Sequence, residues 1–279
     1  MADIAVEPAV RERRFHARVL SDGRTLYWWV EVGVTLAFYL VYSAIRNANE
    51  GGASEAFANA RQIMGWERDL GLFFERAWQD WALGVKPLVV AMNYAYGSLH
   101  FVVTAGAIIY LFRRCTDDYP RWRNTLAFTT GLALIGFVAW PLMPPRLLPE
   151  HYGFVDTLAR YPTLWSFDSG GVQDISNQYA AMPSLHFGWS LFCAFAIAPR
   201  VRRRVVKVLF ASYPVLTFVA IVLTGNHYWL DAAGGGVIFA AGWALAGLVT
   251  RPRSGPRRAR RGAPRGARQE RAAATAASN

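Results

Sequence analysis

The sequence is poor in charged residues and in cysteine, and both shortages restrict what the protein can be. Charged residues make up 18% of the 279 positions and hydrophobic residues 53%, whereas soluble domains of this size carry about a quarter charged residues. This composition excludes a disordered chain and argues against an ordinary cytosolic enzyme. The two cysteines, Cys115 and Cys193, fit neither a disulfide framework nor a metal cluster with Cys spacing.

Six apolar runs predict an all-α, polytopic membrane protein. A helix that crosses a bilayer needs about 20 mainly apolar residues, and no secretory signal is expected because the first run starts late. The candidate spans are Leu26–Ile45, Pro87–Phe112, Thr125–Pro141, Pro183–Ala198, Val205–Thr224 and Trp229–Thr250. We therefore predict a six-transmembrane-helix core at residues 26–250. Three glycines, Gly234 to Gly236, predict that the sixth span packs closely against a neighbour.

The basic residues fall mainly on one side of these spans. The N-terminal segment 1–25, the second-to-third connection, the fourth-to-fifth connection and the tail 251–279 hold five, four, five and nine Lys or Arg, which is 23 of 30. Arginines that merely flanked apolar helices would divide evenly between the two sides. The positive-inside rule instead predicts that both termini are cytoplasmic, in the cell membrane, and that the other connections are extracytoplasmic.

Two long connections are predicted outside the cytoplasm. Residues 47–85 place apolar and charged side chains at helical spacing, which indicates amphipathic extracytoplasmic helices. These helices either lie on the membrane surface or pack against the outer ends of the spans. Residues 142–182 form a loop too long for a mere linker, and such loops are often functional.

The tail at 251–279 carries nine arginines among Ala, Gly and Pro and supplies most of the net charge of +11. It is predicted to be disordered. Anionic lipid headgroups could bind it on the cytoplasmic side. Topology already explains the charge, so no specific nucleic-acid partner is expected.

Polar residues that resist a structural explanation collect at the outer ends of the third to sixth spans. They are Arg146 after two prolines, Ser184 and His186 in Pro-Ser-Leu-His, and Asn226, His227 and Asp231 in Gly-Asn-His-Tyr-Trp-Leu-Asp. Each alone has a common structural explanation, such as an arginine that reaches the headgroups or a chance His-x-x-x-Asp match. Their shared depth and side favour a functional site.

These residue types suit phosphoryl transfer. If Pro183 begins the fourth span, the free backbone N–H groups around Ser184 and His186 form a phosphate site at a helix N-terminus. His227 and Asp231 lie four residues apart on one helix face, so the carboxylate can orient the imidazole for attack. His186 can exchange a proton, and Arg146 can grip phosphate oxygens. Two imidazoles, one backed by a carboxylate and one near a helix N-terminus, suit a two-step transfer through a phosphohistidine. No cofactor is expected.

The segments at 180–186 (Ala-Ala-Met-Pro-Ser-Leu-His) and 225–228 (Gly-Asn-His-Tyr) resemble motifs of the type 2 phosphatidic acid phosphatase superfamily, in the branch that includes inositol phosphorylceramide synthase. The resemblance covers roughly residues 60–245. It implies a six-helix membrane core and metal-independent phosphoryl transfer. By the same resemblance, His227 is the nucleophile, Asp231 its orienting carboxylate and His186 the acid. Ser184 and Arg146 would hold the phosphate.

The sequence departs from the family pattern at three positions. Ala139 and Leu147 stand where the first motif has Lys and Pro, and Ile221 stands where the third motif has Arg. Two cationic phosphate ligands are therefore missing. The candidate replacements are Asn226, His100 and Asn93 with its neighbour Tyr94, since polar groups inside a span are functional candidates. A helix-to-helix hydrogen bond is the equal alternative for Asn93 and His100.

The sequence thus predicts a membrane-bound lipid phosphatase or phosphotransferase, whose substrate is a lipid phosphate. A polyol acceptor such as inositol, or a sugar, would need a polar pocket within 150–182, where Gln173, Asp174, Asn177 and Gln178 gather. One alternative is a non-catalytic membrane protein that binds or moves a lipid phosphate. A third hypothesis makes the Arg-rich tail the functional part and the spans only its anchor.

Overall fold

A computed structural model describes residues 17–48, 52–162 and 178–250. The chain within these ranges is mostly helical. The predicted tail at 251–279, most of the N-terminal segment 1–25, and three of the four polar residues proposed for an acceptor pocket (Gln173, Asp174 and Asn177) lie outside the described residues.

Every predicted span corresponds to a helix, although the bounds move by a few residues. The helices are α1 Trp28–Ala48, α2 Ala53–Asp69, α3 Glu75–Leu83, α4 Lys86–Tyr94, α5 His100–Arg114, α6 Tyr119–Ala139, α7 Thr157–Arg160, α8 Leu185–Ile197, α9 Arg204–Leu223 and α10 Trp229–Val249. A π-helical turn, Ala95–Leu99, joins α4 to α5 without a break. Two 3-10 turns, Pro145–Leu147 and Glu150–Tyr152, lie in the loop after α6.

Within the described ranges, four helical segments are long and apolar enough to cross a membrane. They are Trp28–Arg46, Lys86–Arg114, Arg204–Leu223 and Trp229–Val249. The apolar helix α8 is shorter, at 13 residues. The chain is therefore a helical protein with several candidate membrane spans.

A short β-hairpin before α1 is a correction to the all-α prediction. Ala17–Val19 (β1) pairs antiparallel with Thr25–Tyr27 (β2). Gly23, with φ of 87°, lies in the connecting turn, a backbone conformation that glycine adopts without steric cost. Strands of three residues are too short for an alternating pattern to predict.

Helix α1 is held at one end by a partly buried ion pair. Glu31 of α1 bonds Arg123 Nη1 at 2.9 Å and accepts a hydrogen bond of 3.0 Å from the Tyr119 hydroxyl, both on α6. The pairing explains a carboxylate inside an apolar helix. Arg46 lies 15 residues further along α1, about 22 Å away at 1.5 Å per residue, and so reaches the opposite end of the bundle.

Helix α10 packs closely on α8 through glycine, as the three consecutive glycines predicted. A Cβ atom on Gly235 would lie 2.4 Å from the Ser184 carbonyl oxygen and 3.3 Å from the Gly188 nitrogen. Real Cβ contacts are never so short, so only glycine fits at 235 at this helix separation. The contact brings the N-terminal ends of α8 and α10 together.

The segment that carries α2 and α3 packs against the loop after α6 and the start of α10. The buried face of α2 contributes Ala56, Ala60, Ile63 and Met64 to a cluster with residues of the loop after α6 and with Tyr228. The sequence predicts that the helices of residues 47–85 either lie on the membrane surface or pack against the ends of the spans. These contacts correspond to the second arrangement. In α3, the Gln79 side chain accepts from Val155 N at 2.9 Å and donates to the Leu223 carbonyl at 3.4 Å.

Candidate active site

His227 and Asp231 lie at the start of α10, where a tight turn follows α9. Gly225 has φ of 68°, and the N–H groups of Asn226 and His227 both donate to the Ile221 carbonyl, at 3.0 and 3.2 Å. His227 Nδ1 then lies 3.2 Å from Asp231 Oδ2, and both side chains are buried. The carboxylate favours the tautomer with the proton on Nδ1, which leaves Nε2 with a free lone pair.

Asp231 also shapes the backbone around His227. Its Oδ2 atom accepts the Tyr228 N–H at 3.0 Å, and its carbonyl oxygen accepts the Ser184 N–H at 2.9 Å. The first bond caps the N-terminus of α10, and the second joins α10 to α8. One residue thus orients the imidazole and links the two predicted motifs.

The start of α8 differs from the prediction by two residues. The helix begins at Leu185 and not at Pro183. Ser184 caps it by accepting the Phe187 N–H at 3.4 Å. Since the Ser184 N–H already bonds Asp231, it is not available to phosphate. The N–H groups of Leu185 and His186 occupy the first turn, where a helix offers no backbone acceptor.

Three histidines from three helices lie close together. The ring centroids of His186 and His227 are 5.8 Å apart, and those of His186 and His100 are 4.4 Å apart. On its other face, the His186 ring stacks on Tyr96 at 4.1 Å and hydrogen-bonds the Tyr96 backbone. Tyr96 belongs to the π-helical turn, and such turns commonly mark functional sites.

His100, predicted as an additional site residue, is therefore part of this cluster. Its ring stacks on Trp189 at 5.0 Å and is 3% exposed. Its Nδ1 atom makes no hydrogen bond to any residue that the structure describes. A hydrogen bond from His100 to another helix was the structural alternative, and its Nδ1 atom makes none within the described residues.

Arg146 is held beside the turn that precedes His227. Its backbone N–H donates to the Gly225 carbonyl at 2.8 Å, and its Nη1 atom lies 2.6 Å from Asp156 Oδ2. Asp156 is itself fixed, because Oδ1 caps α7 by accepting the Leu158 and Ala159 N–H groups. The buried Nε of Arg146 has no acceptor among the described residues, which leaves it able to bond an anion.

Arg46 is a cation that sequence reasoning missed. The guanidinium is near enough to interact electrostatically with the His186 ring and the Tyr96 hydroxyl, and Arg146 also interacts in this way with Tyr96. An arginine at the end of a span usually reaches for headgroups, so it drew no attention in the sequence. The available signal was its position, since Arg46 is one of the few basic residues on the predicted outer side.

Three other predicted residues make contacts of their own. Asn93 donates to the Thr157 and Tyr161 carbonyls at 2.8 and 3.2 Å, so it ties α4 to the α7 segment, as in the structural alternative. Tyr94 is 40% exposed and lines an apolar groove with residues of α4, α5 and α9. Asn226 donates to the Thr224 hydroxyl at 2.8 Å and is buried next to His227.

The positions of the two missing cations are apolar in the structure. Ile221 is fully buried in a cluster with Val222 and Ala232, and Ala139 ends α6. The cationic groups beside the histidines therefore come from the segments that carry Arg146 and Arg46.

A family model described as the PAP2 superfamily matches residues 61–245. This range contains the three histidines, Ser184, Asp231 and Arg146, and it excludes Arg46. Comparison with curated proteins and with solved structures gave no match to the chain.

Proposed function

Because the chain belongs to the PAP2 superfamily, whose members are phosphatases, we propose that it is a membrane enzyme that cleaves a lipid-linked phosphate through a phosphohistidine on His227. The observation that carries this proposal is the buried 3.2 Å contact between His227 Nδ1 and Asp231, with the His186 ring beside it. An imidazole oriented by a carboxylate presents its other nitrogen as a nucleophile.

In the first step, His227 Nε2 forms a bond to phosphorus while the bond between phosphorus and the lipid oxygen breaks. His186, which begins the step protonated, gives its proton to that leaving oxygen. Asp231 stabilises the positive charge that His227 gains. The rings of His186 and His227 are close enough for one phosphoryl group to contact both.

The transferred phosphoryl group carries negative charge, so donors around it lower the barrier. We assign this role to the Ser184 hydroxyl, to the N–H groups at the start of α8, to Arg146 and to Asn226. Arg46 and His100 are additional candidates, since the His100 ring contacts His186 and Arg46 interacts with it electrostatically. Arg46 would supply charge that the family pattern places at positions 139 and 221.

In the second step, an oxygen nucleophile attacks phosphorus and the bond to His227 breaks. His186 accepts the proton of that nucleophile. Water gives phosphatase activity, whereas a polyol such as inositol, or a sugar, gives transfer. Gln178, which belongs to the proposed acceptor segment 150–182, is half-buried and is one side chain that could face such a polyol.

We further propose that α6 and α8 complete a six-helix bundle with the four candidate spans. Both termini would then be cytoplasmic, and the histidines would face the outer leaflet of the cell membrane. In this arrangement α2 and α3 cover the outer ends of the spans. The Arg-rich tail would meet anionic lipids on the inner side.

Purified protein in detergent tests the proposal with phosphatidic acid, a prenyl diphosphate and other lipid phosphates, with and without inositol. The wild type should release phosphate or transfer a headgroup from at least one of them, and His227→Ala should not. His151→Ala, which alters an exposed histidine on the outer side, is the matched control and should behave as the wild type. Lipid binding that survives His227→Ala, with no turnover in the wild type, would instead identify a non-catalytic binding protein.

A further inference from the structure

Two buried carboxyl groups outside the histidine cluster contact the helix that carries the nucleophile. Glu67 Oε1 accepts the Leu230 N–H at 3.2 Å, and Glu75 Oε1 accepts the Trp229 N–H at 3.0 Å. Both glutamates are fully buried, and they come from α2 and α3. Together with the bond from Tyr228 to Asp231, three consecutive N–H groups at the start of α10 are satisfied by carboxyl oxygens.

The Oε2 atoms of the two glutamates indicate how two carboxyl groups can be buried side by side. Glu67 Oε2 and Glu75 Oε2 are buried, and neither bonds any other group among the residues that the structure describes. The two side chains interact directly with each other. Because two buried carboxylates in contact cannot both be ionised, a proton shared by these atoms satisfies both.

The two helices favour opposite states of the pair. Glu67 lies in the last turn of α2, where the helix dipole disfavours a negative charge. Glu75 is the first residue of α3, where the dipole favours one, and it also hydrogen-bonds backbone groups at 74 and 75. Glu67 is therefore the member that holds the proton. Burial, followed by the charge of Glu75, raises the pKa of Glu67 to about 9.

The surroundings do not supply a competing charge. Asp231 adds negative charge near Glu67, and the Tyr228 hydroxyl interacts with both glutamates. The Tyr228 hydroxyl is occupied, since it donates to the Met143 carbonyl at 3.3 Å. Within the described ranges, no arginine or lysine forms an ion pair with either glutamate.

We propose that Glu67 and Glu75 are a pair of positioning residues that fix the first turn of α10, and thereby His227 and Asp231, through one shared proton. The pair touches neither substrate nor reacting atoms. It acts because the N–H groups that the two carboxyls hold, those of Trp229 and Leu230, lie two and three residues after His227. The effect of the pair on catalysis rests on the proposed function. The shared proton between Glu67 and Glu75 does not.

The shared proton is tested by thermal unfolding in detergent as a function of pH. A carboxyl whose pKa is raised in the folded state stabilises the fold below its unfolded pKa, and this contribution is lost as pH rises through the folded value. Wild-type Tm should therefore fall between about pH 5 and 9. Glu67→Gln mimics the protonated group and should flatten this slope, whereas Glu55→Gln, an exposed control on α2, should not. Equal slopes in the wild type and Glu67→Gln would overturn the shared proton.

The positioning role is tested with kcat, KM and the reactivity of His227. Glu67→Gln should keep kcat near the wild-type value at pH 7 and retain a larger share of it at pH 9.5. Glu67→Ala should lower kcat about 10- to 100-fold with a smaller change in KM, since a small misplacement has effects of this size. The rate at which diethyl pyrocarbonate modifies His227, located by mass spectrometry, should also change in Glu67→Ala.

The two sets of measurements separate the possible failures. An inactive wild type whose Tm slope responds to Glu67→Gln would remove the proposed function and leave the shared proton in place. An unchanged kcat and an unchanged rate of His227 modification in Glu67→Ala would overturn the positioning role itself.

Discussion

The backbone N–H of Ser184 donates a hydrogen bond of 2.9 Å to the carbonyl oxygen of Asp231. This bond crosses from the N-terminus of α8 to the first turn of α10, and it joins the residue that caps one helix to the residue that orients His227. The relative position of His186 and His227 thus depends on how closely the two helices approach. The close approach depends in turn on Gly235.

Gly235→Ala should separate α8 from α10 and reduce activity. The added Cβ would meet the Ser184 carbonyl oxygen at 2.4 Å, and overpacking of this kind costs about 1–3 kcal/mol of stability. Gly236→Ala is the matched control, since its Cβ meets nothing closer than 3.9 Å, and alanine favours the helix by about 1 kcal/mol. Tm and phosphate release measure both effects. A Gly235→Ala protein as stable and active as Gly236→Ala would contradict the packing.

His186→Ala should affect substrates according to their leaving group. Loss of a general acid lowers kcat/KM about 10²- to 10⁴-fold for an alkyl phosphate, whose leaving oxygen needs a proton. With p-nitrophenyl phosphate the leaving oxygen needs none, so the loss of kcat/KM should be far smaller. The measurement is kcat/KM for both substrates in the wild type and the variant, because this constant reports formation of the phosphohistidine and not the second step, in which His186 acts as the base. Equal losses for both would show that His186 is not the acid.

Arg46→Ala should weaken phosphate binding. Loss of a charged hydrogen bond costs about 1.5–3 kcal/mol, so KM or the inhibition constant of inorganic phosphate should rise about 10- to 100-fold. Arg46→Lys should recover part of this loss. Arg61→Ala, which removes an exposed arginine above Phe57 on α2, is the control. If Arg46→Ala and Arg61→Ala give the same constants as the wild type, Arg46 does not contact the phosphate.

The native cysteines test the orientation. Cys115 follows α5 on the predicted cytoplasmic side and is partly exposed, whereas Cys193 is buried. Burial raises the pKa of the Cys115 thiol, so its labelling should be slower than that of a fully exposed cysteine. A membrane-impermeant maleimide should label Cys115 only in inside-out vesicles. In a Cys115→Ser background, Ser54→Cys on α2 should react only in right-side-out vesicles, and the reverse pattern would invert the topology.

Local signals in the sequence were enough to predict the apolar helices and the contact between His227 and Asp231. Each of the six apolar runs corresponds to a helical segment, and the four-residue spacing of His227 and Asp231 predicted their contact. The start of α8 was wrong because a proline suggested the first helical residue, whereas the Ser184 side chain caps the helix more effectively.

The remaining parts of the site depend on contacts between distant segments. Glu67 and Glu75 look like exposed charges on amphipathic helices until α2 and α3 pack against the start of α10. The interaction of Arg46 with His186 depends on where α1 packs, and Glu31 and Arg123 join α1 to α6. Such contacts have no periodicity or motif in the sequence, so pattern reasoning could not find them.

The covalent intermediate is the most direct test of the mechanism. A lipid substrate labelled with radioactive phosphorus is mixed with the enzyme, quenched in alkali during turnover and digested for mass spectrometry. The account predicts a phosphoryl group on the His227 imidazole, absent from His227→Ala. Sustained turnover with an unmodified His227, or a label that persists in His227→Ala, would contradict it.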